Sequence, residues 1–288
     1  MIEVREREGK KIKIDKMIFI MKESNTNKIK NRKQNNICFK KYLSSYIIIL
    51  LLIIPILSQV KKERKIDNKS NVIELTIKGE GISSIIYENG GNSNCPQTKY
   101  PDEIYINDIN QADIKSNYYF NKSENQVNLI WHNNIERLSC MFYLCSNITK
   151  FDFSNFDSTG IQFMDSVFHS CTSLVSIDFN NFDTSSVITM TSMFYNCPSL
   201  KCINLSNFDT SKVESMRYMF SGCVNLISIN LSNFNTSKVK FMSFMFQNCG
   251  NLKEINLSNF DTSNLINMEY MFNGCKNLAN LDLNNFET

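Results

Sequence analysis

From Leu200 the chain reads LKCINLSNFDTSKVESMRYMFSGCVN, a short unit that holds two hydrophobic periods. Leu200, Ile203 and Leu205 form L-x-x-L-x-L, and the alternation at 203 and 205 predicts a short strand with one buried face. Met216, Met219, Phe220 and Cys223 follow at i, i+3, i+4 and i+7, one apolar side of about two helical turns. Between them NFDTSKV supplies Asn, Asp, Ser and Thr side chains, which satisfy free backbone groups where a chain reverses. The unit is therefore expected to run strand, corner, helical turn and back.

The pattern recurs. MFYLC at 141, VFHSC at 167, MFYNC at 193, MFSGC at 219, MFQNC at 245 and MFNGC at 271 are each 26 residues apart. Cys145, Cys171, Cys197, Cys223, Cys249 and Cys275 fall on one phase, and Phe156, Phe182, Phe208, Phe234, Phe260 and Phe286 on another. One unit has too few apolar side chains to offset the ordering of its own backbone, so neighbours must stack and bury each other's open faces. The fold class predicted for 128–288 is an α/β repeat solenoid: a leucine-rich-repeat-like right-handed coil with one parallel β-sheet face. Ile135, Leu138, Met141 and Phe142 make 128–145 a degenerate first unit, and NFET at the other end stops partway through one. Solenoids need capped ends, so further sequence beyond Thr288 or a partner at that end is expected.

Upstream, 72–127 reads as a small β-rich module. VIELTIKG, SSIIYE, DEIYIND and QVNLIWH are strand candidates, separated by turn residues such as Gly79, Gly90, Gly91 and Pro101. Its last strand is expected to close the open end of the repeats. Residues 1–41 form a basic leader, expected to be disordered, with 13 Lys/Arg against 5 Asp/Glu. Residues 42–59 read as a signal peptide or signal-anchor, and 60–71 as a linker. The apolar run from Tyr46 to Leu57 is 12 residues long, which suits a signal-peptide core and falls short of the roughly 18 that span a bilayer. Cleavage is the first reading. Membrane anchoring through 42–57 is the alternative, because Tyr42 to Ser45 lengthen the run and Lys61, Lys62, Arg64 and Lys65 follow it. Met17 and Met21 are alternative starts. Either way, the downstream chain is expected to be secreted or displayed on the cell surface.

Charge narrows the partners. The basic excess behind the net charge of +3 lies in the leader, while from Val127 onward 9 Lys/Arg face 13 Asp/Glu. A nucleic-acid partner is excluded, since no basic stripe opposes phosphates. Among ten cysteines there is no C-x-x-C pair, and only His132 and His169 are present, so no metal or cofactor is expected. A Cys171/His169 nucleophilic pair is rejected: Tyr195, Ser221, Gln247 and Asn273 replace His169 in later units, and no third group orients it. No enzyme is read here. The cysteine ladder is expected to be buried thiols packing as small hydrophobes, with local bridges Cys140/Cys145 or Cys197/Cys202 as the alternative.

The candidate binding surface is the outward side of the predicted strand. It carries a first row, Asp152, Asp178, Asn204, Asn230, Asn256 and Asp282, and a second, Ser154, Asn180, Ser206, Ser232, Ser258 and Asn284. These short polar side chains suit hydrogen bonding to a protein or glycan; the competing reading is a solvated face whose side chains only stabilise the sheet. Asn204, Asn230 and Asn256 head N-x-S sequons, and Asn68, Asn121, Asn147 and Asn235 head others more suited to glycosylation.

The recurring NFDTS, MxxMF and FxxC steps over 130–288 resemble the BspA-type leucine-rich repeats, and especially the related repeat of mycoplasma-like surface proteins. The resemblance implies a cell-surface protein that adheres to host matrix, host cells or other microbes. No Cys follows the apolar run at a lipidation position, which departs from the bacterial lipoprotein members. An extracellular binding or adhesion protein is the reading; a surface coat that self-associates through the ends of the stack is the alternative.

Overall fold

Alternation in the N-terminal module turns into strands where it is strict. The structure is a computed structural model that describes residues 71–88, 95–96, 99–279, 281–284 and 286, all within one unit, Ile66–Thr288. The leader, the apolar run, 60–70 of the linker and the sequon at Asn68 lie outside the described residues. β1 (Asn71–Lys78) and β6 (Glu124–Trp131) are antiparallel and pair Ile73 with Leu129 and Leu75 with Val127, all buried. β3 (Glu103–Ile106) joins the other edge of β6 and turns back into β4 (Ile109–Asn110) through Asn107 and Asp108. Both turn residues have positive φ, 50° and 66°, the backbone of a tight hairpin turn that Asn and Asp tolerate. β2 (Gly81–Ser84) and β5 (Asn117–Phe120) form a separate antiparallel pair.

The module and the first repeats share a sheet, ordered β4-β3-β6-β1-β7-β8. β7 (Ile148–Asp152) pairs antiparallel with β1, and β8 (Ser176–Asp178) pairs parallel with β7. The strand that meets the repeats is thus the module's first, not its last. A disulfide, Cys95–Cys140, also ties module to first repeat. Neither of the alternative local bridges, Cys140/Cys145 or Cys197/Cys202, forms: Cys140 pairs with Cys95, Cys145 is a free buried thiol, and Cys197 and Cys202 are free.

The α/β leucine-rich-repeat-like solenoid with one parallel sheet face is not the fold. No helix occurs among the described residues, the six-stranded sheet is mixed, and at Ile203–Leu205, Ile229–Leu231 and Ile255–Leu257 no strand forms. The hydrogen bonds give the reason. In an α-helix each N–H would bond back to the fourth carbonyl before it. Here the N–H groups of Met216, Tyr218, Phe220 and Gly222 instead reach Phe241, Ser243, Met245 and Gln247 of the next repeat, at 2.8–3.1 Å. The alternate ones, Met219, Ser221 and Cys223, close tight turns onto Met216, Tyr218 and Phe220. Two left-handed residues, Tyr218 (φ 55°) and Gly222 (φ 79°), redirect the chain between turns. The result keeps Met216, Met219, Phe220 and Cys223 fully buried without a helix.

Successive repeats are joined by a column of single parallel bridges, Arg137↔Phe163, Phe163↔Thr189, Thr189↔Ser215, Ser215↔Phe241 and Phe241↔Asn267. Each residue of NFDTS has a place in this stacking. Asn207 Nδ2 spans to the carbonyls of Phe179 and Phe182, where the backbones themselves do not pair. Phe208 enters the core. Asp209 Oδ1 accepts the N–H of Ser211, and the buried Thr184 and Thr210 hydroxyls lock coil to coil. Thr210 Oγ1 donates to Asn235 O and accepts from Asn235 N–H, at 2.9 and 2.8 Å. Inside, Phe142, Phe168, Phe194, Phe220, Phe246 and Phe272 stack in one line, with centroids 5.3–5.9 Å apart and planes within 11°.

Candidate binding surface

Ile203 and Leu205 face inward and Asn204 and Ser206 outward, so the alternation assigns the faces correctly even where no strand forms. Only Asp152 and Asp178 of the first row lie on strands, at the ends of β7 and β8. A flat polar sheet is therefore not what the rows create. Each first-row side chain instead folds onto its own backbone. The Oδ1 atoms of Asp152, Asp178, Asn204, Asn230, Asn256 and Asp282 accept the N–H of Ser154, Asn180, Ser206, Ser232, Ser258 and Asn284 at 2.9–3.1 Å. These are Asx turns, for which Asn and Asp are suited because the side-chain carbonyl reaches two residues on.

The turn uses one oxygen and leaves the rest of the group outward. From Asn204 onward both rows are exposed, while Asp152, Ser154 and Asp178 are half-buried. The Nδ2 groups of Asn204, Asn230 and Asn256 have no protein partner among the described residues. Where β8 ends, the surface opens into a concavity of about 250 Å³ bounded by Lys150, Asp178, Asn180, Asn204 and Asn207. The structure thus brings two neighbouring members of the first row, Asp178 and Asn204, and one of the second, Asn180, around one lysine.

The turn side of the repeats carries the thiols. Cys171, Cys197, Cys223 and Cys249 are buried, and their Sγ atoms donate to the carbonyls of Phe142, Phe168, Phe194 and Phe220 at 3.1 Å. Burial holds them protonated, with Cys197 pushed up to about 12. Such thiols are structural donors, not nucleophiles. His169 does not face Cys171 as a base. Its ring is stacked between Tyr143 and Tyr195, 4.3 and 4.5 Å away, its Nδ1 has no partner, and burial pushes its pKa down to about 4. His132 lies in the module and pairs with Glu103 at 2.8 Å. Among the described residues no group of three or more His, Cys, Asp or Glu is placed to hold a metal, and no helix is long and apolar enough to cross a membrane.

Of the sequons, Asn121 and Asn235 are exposed. Asn147 is exposed as well, yet its Nδ2 donates to Ser83 Oγ at 2.6 Å. The sequons at Asn204, Asn230 and Asn256 sit in exposed turns, not in strands.

Two features have no counterpart in the hydrophobic pattern. One is an outer line of rings, Tyr87, Tyr143, His169, Tyr195, Tyr218, Phe244 and Tyr270, each within 4.3–6.1 Å of the next. The other is the pair of left-handed columns on the turn side. Asn196, Gly222, Asn248 and Gly274 occupy one of them, and that run of Asn and Gly is the signal that argues against a helix there.

The curated proteins and the solved structures compared contain no match to this chain. A family model described as "Mycoplasma protein of unknown function, DUF285" matches residues 112–223 and again 199–288, together more than half of the chain. The overlapping matches cover β5 and β6 of the module and the stacked repeats, whose turns, thiols and Asx columns have just been described, and the chain belongs to this Mycoplasma protein family.

Proposed function

We propose that this protein is an extracellular or cell-surface binding protein of BspA-like type, which presents its stacked repeats to macromolecules of a host or of neighbouring cells. The observation that carries the reading is the first row: an amide or carboxylate held by its own Asx turn recurs at one phase in six units, from Asp152 to Asp282. The Asx turns order these groups before any partner arrives, which limits the entropy lost on binding. Export is supported by the apolar run at 46–57 and by the Cys95–Cys140 disulfide, since disulfides persist in oxidising compartments. No catalytic role is assigned to any residue.

The partner would be gripped by many weak polar contacts. At about 0.5–1.5 kcal/mol for each hydrogen bond, one lost contact weakens binding roughly two- to tenfold. Asn204→Ala, Asn230→Ala and Asn256→Ala, added one after another, are expected to reduce binding to immobilised matrix proteins and to whole animal cells in such steps. Complete loss from one change, or undiminished binding after all three, would refute the reading.

A further inference from the structure

The repeats beyond Trp131 contain four glycines, and three of them, Gly222, Gly250 and Gly274, line one groove on the turn side. Its volume is about 450 Å³, within the range of small-ligand sites. Tyr195 forms one end and Lys276 the other, with Gln247 and Asn248 between. These two ends are three repeats apart, about 14 Å at about 4.8 Å per repeat.

The groove opens where the aromatic line changes phase. Tyr143, His169 and Tyr195 stack in successive repeats, but the next three equivalents are Ser221, Gln247 and Asn273. The line resumes one column over, at Tyr218, whose ring stands at 76° to that of Tyr195. Tyr195 is therefore stacked on its His169 side and borders the groove on the other.

We propose that this groove binds a pyranose oligosaccharide. Resting on the reading of the protein as a surface binder, this gives that binder a ligand class and a site away from the Asx rows. The chemistry of the lining selects the class. A flat, half-exposed ring covers the apolar C–H face of a sugar. Gln247 and Asn248 each offer a donor and an acceptor, which vicinal hydroxyls need. A single lysine at one end is too little for a polyphosphate, and the side-chain amides of Asn196, Gln247 and Asn248 between Pro198 and Val224 are wrong for a hydrocarbon.

Gly250 provides the test. Its φ is not left-handed and a Cβ there would meet nothing within 4 Å, and the equivalent positions carry Pro198, Val224 and Lys276. Gly250→Trp should fill the groove while the protein folds as before, which its thermal midpoint checks. Tyr195→Leu keeps His169 covered but removes the flat ring. On an array of defined mono- to tetrasaccharides, the unaltered protein is expected to bind at least one pyranose trisaccharide. Gly250→Trp should weaken that binding tenfold or more and Tyr195→Leu severalfold, while the Asn204/Asn230/Asn256→Ala triple leaves it unchanged. No saccharide bound, binding undiminished in Gly250→Trp, or an extended peptide bound there instead would overturn the groove assignment. If cell binding still falls stepwise with the asparagine changes, the surface-binding reading survives that result; if neither kind of binding is seen, both fail.

Discussion

In the module, β1 and β6 stay in register over eight residues, from Asn71↔Trp131 to Lys78↔Glu124, whereas repeats beyond β8 are joined by single bridges, such as Thr189↔Ser215. The repeats make up the difference with turn N–H groups sent to the next coil, threonine hydroxyls, asparagine amides and a file of phenylalanine rings. The module relies on backbone pairing between segments far apart in sequence. The stack relies on the same local device repeated, so each repeat depends mainly on its two neighbours.

That difference can be broken most forcefully at Phe220, held between Phe194 and Phe246 at 5.5 Å from each. Phe220→Ala is expected to cost about 3–5 kcal/mol. In hydrogen exchange the loss of protection should centre on the amides of 190–250 and leave β1 and β6 protected. An equal loss in β1 would show that module and stack unfold as one unit. Next in size is Cys95→Ser, which removes the disulfide between the regions and should cost about 2–4 kcal/mol. Its effect should fall on the module and on Met141–Cys145, and an effect as large beyond Cys197 would erase the distinction.

The smallest effect is electrostatic. Burial lowers the folded pKa of His169 to about 4 from an ordinary 6.5. As pH falls through 6.5 the unfolded chain takes up the proton first, so stability present above that pH is lost progressively toward pH 4. His169→Tyr, which copies Tyr143 and Tyr195, is expected to raise the thermal midpoint more at pH 5 than at pH 8. An equal change at both pH values would show that the imidazole is not held neutral by the stack.

Much of the interior is legible in the sequence. The 26-residue period places Met216, Met219, Phe220 and Cys223 inside, and the alternation at Ile203 and Leu205 separates core from surface. The secondary structure is not, because burial periodicity records which way a side chain faces and says nothing of where the backbone N–H goes. A chain of tight turns with left-handed residues at Tyr218 and Gly222 produces the same i, i+3, i+4, i+7 spacing as a helix. The Asn and Gly residues before each cysteine from Cys197 on, at 196, 222, 248 and 274, carry that information, against an apolar pattern that fits a helix equally well. From Asn204 onward the first row is polar and outward, but its side chains cap turns instead of lining a sheet, a setting that alternation alone does not encode. The groove beside Tyr195 was invisible, since it arises from an aromatic column that shifts phase between repeats.

The repeat, its inward residues and the roles open to NFDTS follow from local spacing and side-chain chemistry and can be read from the chain. That β1 joins the repeats, that Cys95 pairs with Cys140 and that the turn amides bond forward to the next coil emerge from folding alone. Each of these is a choice of partner among segments distant along the chain, and a backbone donor carries no label of its acceptor until the coils are stacked.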